Sequence, residues 1–180
     1  MWGRPWPEFI LTKGVKFFDV GLDHPLVQVQ VKNGDYVYLL RDNSKYESDL
    51  VILQRIEYLE TIMFMNHRSG FAGVQIPCVY ADLEPDLDWI LGMKNGESYI
   101  WYAQQKIQFG MNYQGFAVRE ETAMTMERGM VRMVQPYMLS PKGESFLFWR
   151  RRKGVGFPVS LFQFSREDYK DPGDLNKIVQ

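Results

Sequence analysis

One cysteine in 180 residues, Cys78, excludes an intrachain disulfide and suits a reducing compartment. Histidine is almost as scarce, with only His24 and His67. A charge excess of either sign is missing. The 21 Lys and Arg stand against 22 Asp and Glu, a net charge of -1. No global field therefore steers the chain onto nucleic acid or acidic lipid. No apolar run approaches the roughly 20 residues of a membrane-spanning helix. The opening Met-Trp-Gly-Arg-Pro-Trp-Pro has neither an apolar signal core nor an Arg/Ser-rich presequence. That predicts a cytoplasmic protein, or one built into a virion or another large particle. Internal repeats, low-complexity runs and long linkers are absent as well.

What is present is bulk. Hydrophobic residues make up 46% and charged residues 24%, a balance that predicts a folded chain rather than a disordered one. Its length suits a single domain over 1–180 with a real core. Ten Met, five Trp, twelve Phe and ten Tyr are many large side chains for that core. The remainder would cover a partner surface, where Met and aromatic residues are enriched.

The pattern along the chain predicts an α+β fold. Residues 1–20 read as an extended N-terminal arm with a short strand. Val27-Gln28-Val29-Gln30-Val31 alternates at period 2, and Asn33-Gly34 turns it into a return strand, Tyr36-Val37-Tyr38-Leu39-Leu40. Leu53, Ile56, Leu59 and Met63 recur at helical spacing, which predicts a central helix over 48–67. Strands are expected near 74–80, 99–102, 105–109 and 145–151, with an acidic solvated loop at 82–88. Pro158 suits the first turn of a C-terminal helix running to about 171, because its missing N–H is unpaired there anyway. Short antiparallel strands would then pack around the central helix, with the second helix at the end.

After the central helix comes Ser-Gly-Phe-Ala-Gly-Val-Gln-Ile-Pro, residues 69–77. Glycines let a backbone approach a ligand closely, and a glutamine amide can donate to a developing oxyanion. A glycine loop between helix and strand is also a common tight connection. The segment resembles the first signature of the polypeptide deformylases, Gly-x-Gly-φ-Ala-x-x-Gln-φ-Gly. Gly70, Ala72, Gln75 and Ile76 match it, while Arg68 and Pro77 replace its outer glycines. Asp23-His24-Pro25-Leu26 is similar to the family's Asp-Pro-x-Leu, and 138–144 to its Leu-Asp-x-x-Gly turn.

The resemblance implies a metal-dependent hydrolase of N-formyl-Met chains, but its metal ligands are missing. The second signature, Glu-Gly-Cys-φ-Ser, aligns with Arg128-Gly129-Met130-Val131-Arg132, so Met130 replaces the ligand cysteine. Val131 takes the place of the backbone donor that completes the oxyanion hole. In the third, Gln-His-Glu-x-Asp-His, Gln163 matches. Phe164 and Asp168 stand for the two ligand histidines, and Ser165 for the general-acid/base glutamate. Met and Phe are no substitute for thiolate and imidazole, and Ser165 does not shuttle protons as a carboxylate does. His67 reads as a helix-end residue and Cys78 as a small buried one.

Arg150, Arg151, Arg152 and Lys153 form the one strong charge run, directly after Phe146-Leu147-Phe148-Trp149. It reads as an edge strand guarded by positive charge. It also fits a site for single-stranded nucleic acid, or a docking patch for an acidic protein or RNA. Taken together, the sequence predicts a non-catalytic structural or assembly subunit with protein partners and no resident cofactor or metal. The alternatives are an atypical deformylase and a nucleic-acid-binding module.

Overall fold

A computed structural model of the chain describes residues 6–31, 33–63, 67, 70–84, 91–95, 98–99, 106–118 and 135–179. The fold is α+β. Its centre is a five-stranded antiparallel sheet in the order β13-β12-β4-β3-β2. Those strands are Ser160–Phe164 (β13), Phe146–Arg151 (β12), Tyr36–Arg41 (β4), Leu26–Gln30 (β3) and Val15–Phe18 (β2). The Asn33-Gly34 turn does join β3 to β4, with Val29 opposite Val37 and Val27 opposite Leu39.

Both faces of this sheet are covered. Because side chains alternate across a strand, Leu26, Tyr38, Leu40, Leu147 and Trp149 share one face. There they meet Ile56, Leu59 and Met63 of the main helix α1, Asp49–Met63. Val27, Val29, Val37, Leu39, Phe146 and Phe148 occupy the other face. They pack onto two three-stranded sheets through Val74, Ile76, Val79, Phe109 and Phe116. Two-sided burial explains why β4 and β12 are continuous apolar runs rather than alternating ones.

The two smaller sheets have the orders β1-β5-β11 and β10-β9-β6. The first holds Glu8–Leu11 (β1), Val74–Pro77 (β5) and Tyr137–Met138 (β11). The second holds Val79–Leu83 (β6), Ile107–Asn112 (β9) and Gly115–Val118 (β10). Lys94–Asn95 (β7) and Ser98–Tyr99 (β8) form a separate pair. A short helix α2, Asn176–Val179, closes the described chain, with its Ile178 and the preceding Leu175 buried.

Residues 8–11 and 15–18, read from sequence as an arm with a short strand, are strands of two different sheets. The expected strand at 105–109 is Ile107–Asn112. Asp82 and Leu83, expected in an acidic loop, belong to β6, and residues 85–88 lie outside the described set. The C-terminal helix expected over 158–171 is a correction. Residues 160–164 are strand β13, followed by a single 3-10 turn, Arg166–Asp168. Leu161 faces the α1 side while Phe162 and Phe164 face the other. The run is apolar because it lies in a sheet buried on both faces, not because it lines one side of a helix.

Candidate functional site

Gln75 lies in the middle strand of its sheet, opposite Ile10 of β1 and Met138 of β11. Its Nε2 donates to the Glu8 carboxylate on β1. The other Glu8 oxygen accepts a bond from Trp6 Nε1 at 3.2 Å. The Trp6 indole is buried, 5.7 Å from the Tyr169 ring in an edge-on contact and 5.4 Å from the Arg166 guanidinium. The Tyr169 hydroxyl donates to the Glu144 carbonyl and lies 3.2 Å from Ser140 Oγ. Ser140 Oγ donates to the same carbonyl at 2.6 Å. Burial, with nearby Asp168 and Glu144, outweighs the Ser140 hydrogen bond and raises the Tyr169 hydroxyl to a pKa of about 12.

Gln75 and Tyr169 are thus linked through two N-terminal residues, Glu8 and Trp6. Sequence reasoning missed both. Glu8 has no motif around it, and Trp6 was indistinguishable from any other core aromatic.

Phe164, at the position of a ligand histidine, is 1% exposed. Its ring lies 4.7 Å from Phe109 and 5.5 Å from Phe146 and Phe162. Ser165 and Asp168 bind each other. The Ser165 N–H donates to Asp168 Oδ2 at 2.8 Å, and its hydroxyl lies 3.3 Å from the same oxygen. The implied ligand spacing brings side chains together on a helix. Here it falls on a strand end and a 3-10 turn, so Phe164 enters the core and Asp168 folds back on Ser165. These residues do not fit a resident metal. Among the described residues no group of three or more His, Cys, Asp or Glu could hold a metal ion. Met130 and Val131, with the rest of the second signature, lie outside the described residues. Gly70 is exposed just before β5, and the Phe71 ring after it contacts Phe17 at a tilt and Tyr137 edge-on, at 5.0 and 5.3 Å.

Cys78 is buried, and its N–H donates to the Pro7 carbonyl at 2.8 Å. Burial first, then the Asp171 and Glu8 charges, pushes its thiol up to about 12. It is therefore a neutral thiol at ordinary pH rather than a thiolate nucleophile or ligand. His67, on the other side of the helix end, pairs with Phe18 by a backbone bridge and a ring contact at 4.8 Å.

The charge run is divided by its strand. β12 is an interior strand, between β13 and β4, so the edge-strand reading of 150–153 is corrected. Alternation sends Arg150 and Arg151 to opposite faces. Arg150 enters the core, where Nε reaches Asp35 Oδ2 at 2.8 Å and Nη2 binds the same oxygen. Arg151 pairs with Glu60 of α1 through Nε at 2.9 Å and Nη2 at 2.7 Å. Glu60 also accepts from Trp149 Nε1 at 2.8 Å, which ties the helix to the sheet. Arg152 lies 3.7 Å from Asp35 with its side chain partly exposed, and Lys153 is exposed at the hairpin tip. Comparison with protein-family models, curated proteins and solved structures found no match for this chain.

Proposed function

We propose that the chain is a non-catalytic structural or assembly subunit acting through protein–protein contacts within a larger particle, such as a virion. Its likeness to a deformylase, carried by Gly70, Ala72, Gln75 and Ile76, is then a trace of ancestry rather than of chemistry. The observation that carries this reading is the continuous Gln75–Glu8–Trp6–Tyr169 link. The glutamine that would face a formyl oxygen is bound to a carboxylate, and the strand carrying that carboxylate runs alongside it. Phe164, Ser165 and Asp168 are likewise engaged in packing and in a local turn. Phe157, Tyr58, Tyr113 and Leu50 are 67%, 60%, 60% and 63% exposed, and such side chains serve as contact points at interfaces.

The nucleic-acid reading has less behind it. With Arg150 and Arg151 held by Asp35 and Glu60, the run presents mainly Arg152 and Lys153 outward. Two phosphate contacts confer little affinity at physiological salt, since each adds only roughly 0.7 to the salt slope on a single strand.

Sedimentation velocity on the full chain over a concentration series tests the assembly reading. The expected result is a mass that grows reversibly with concentration. A chain that stays monomeric throughout and hydrolyses formyl-Met peptides overturns it.

A further inference from the structure

The geometry points to β1 as an exchangeable strand: residues 6–11 of one copy can occupy the β5 edge of a second copy of the same chain. This rests on the assembly reading above and names the surface and the partner.

Among the described residues, β1 lies at the edge of its sheet and pairs with β5 alone. It is not a hairpin with the strand that follows it. The next strand, β2, belongs to the five-stranded sheet and is held there by β3. Only residues 12–14 join the two. At the far end of that connector, Gly14 takes φ +68° and its carbonyl accepts from Gln30 N at 2.9 Å. This fixes the β2 side of the joint, so β1 can swing out as a unit while the rest of the molecule keeps its sheets. A short connector limits how far β1 can travel, which suits exchange between two copies held close together.

The acceptor is specific. A Cβ on Gly73 would collide with the Leu11 carbonyl, so the glycine before β5 lets the end of β1 come close. Phe9 and Leu11 are buried against the core, and Trp6 fits between Tyr169, Arg166 and Gly143. Pro7, between Trp6 and β1, has its φ fixed by its ring and limits the conformations this segment can take. An arm with three apolar anchors does not stay in water. It returns to its own β5 or enters that of a neighbour, with the same contacts in either case. Exchange therefore needs no new interface, and high local concentration in a particle favours it.

The register supplies the test. Cys78 N–H bonds the Pro7 carbonyl, and the Gln75 carbonyl bonds Leu139 N on the opposite side. Residues 7 and 78 are thus a hydrogen-bonded pair, and Ile10 and Gln75 a non-hydrogen-bonded one, with the closer Cα separation that a disulfide requires. In a Cys78→Ala background, full-length Ile10→Cys and Gln75→Cys variants are purified separately, mixed, incubated and mildly oxidised. The double variant, in one chain, is oxidised in parallel. Exchange predicts an interchain 10–75 disulfide in the mixture, identified by peptide mass spectrometry and increasing with protein concentration. If the double variant closes its bridge within a monomer while the mixture gives no interchain bridge, the strand stays at home and the proposal is overturned. A double variant that does not close overturns the register on which the proposal depends. Should the native chain still oligomerise without exchange, the assembly reading stands and only the exchange falls.

Discussion

Arg150 and Asp35 form an ion pair that the fold has taken almost wholly out of water, with 3% and 4% of each residue exposed. It joins the β3–β4 turn to β12, and the guanidinium also lies 5.9 Å from the Phe116 ring. A buried pair is expensive to break from one side, because the remaining charge has no solvent to stabilise it. Arg150→Met is therefore expected to lower stability by about 3–5 kcal/mol. Combining it with Asp35→Leu should recover a large part of that loss. Urea denaturation of the two variants beside the parent measures both effects, and equal losses in the single and double variants would contradict this account.

Phe164→His restores the residue type that the deformylase resemblance implies at this position. It places a polar ring inside the Phe109, Phe146 and Phe162 cluster. The expected outcome is destabilisation of roughly 3 kcal/mol or more, with no gain in zinc affinity by titration calorimetry. Tight zinc binding by a well-folded Phe164→His, Asp168→His double variant would show that the 160–168 segment is a helix after all.

Alkaline pH should weaken the fold in a defined window. Tyr169 and Tyr46 both have folded-state pKa values of about 12, above the ordinary 10.0. Burial is the leading cause for each, and the Asp42 hydrogen bond adds to it for Tyr46. The Cys78 thiol is raised from 9.0 to about 12, again mainly by burial. Raised values mean that the protonated groups favour the folded state. Their contribution is complete below pH 9 and is lost as pH rises to about 12. Urea midpoints should thus fall across that range, and Tyr169→Phe should make the fall shallower above pH 10. A midpoint independent of pH from 9 to 12 would contradict the assignment.

Gln75→Ala removes one hydrogen bond to a charged group. The expected loss is about 1.5–3 kcal/mol in stability. Trp6→Ala, which empties a packed slot, should cost about 3–5 kcal/mol. If instead Gln75→Ala left stability untouched, the Gln75–Glu8 bond would not be a structural link.

Much of the fold was readable locally. The β3–β4 hairpin follows from alternation and from Asn33-Gly34, and α1 follows from the spacing of Ile56, Leu59 and Met63. The segment after Pro158 was misread because Leu161, Phe162 and Phe164 are consistent with one helical face. What makes them a strand is pairing with β12 and burial on both sides, which no local pattern encodes. Arg150–Asp35, Arg151–Glu60 and Gln75–Glu8 were hidden for the same reason. Their partners are 115, 91 and 67 residues apart in sequence. The Gln75 segment stands out in sequence by its glycines, but its partner Glu8 sits in a stretch without any such mark.

In the proposed reading, Gln75, Phe164, Ser165 and Asp168, the described positions that the deformylase resemblance marks, serve packing and hydrogen bonding rather than a metal. Metal content and formyl-Met peptide turnover, measured together on the full-length protein after incubation with Fe²⁺, Ni²⁺ and Zn²⁺, test it most directly. The expected result is no stoichiometric metal after desalting and no turnover above buffer. Stoichiometric metal accompanied by deformylation that Gln75→Ala abolishes would contradict it.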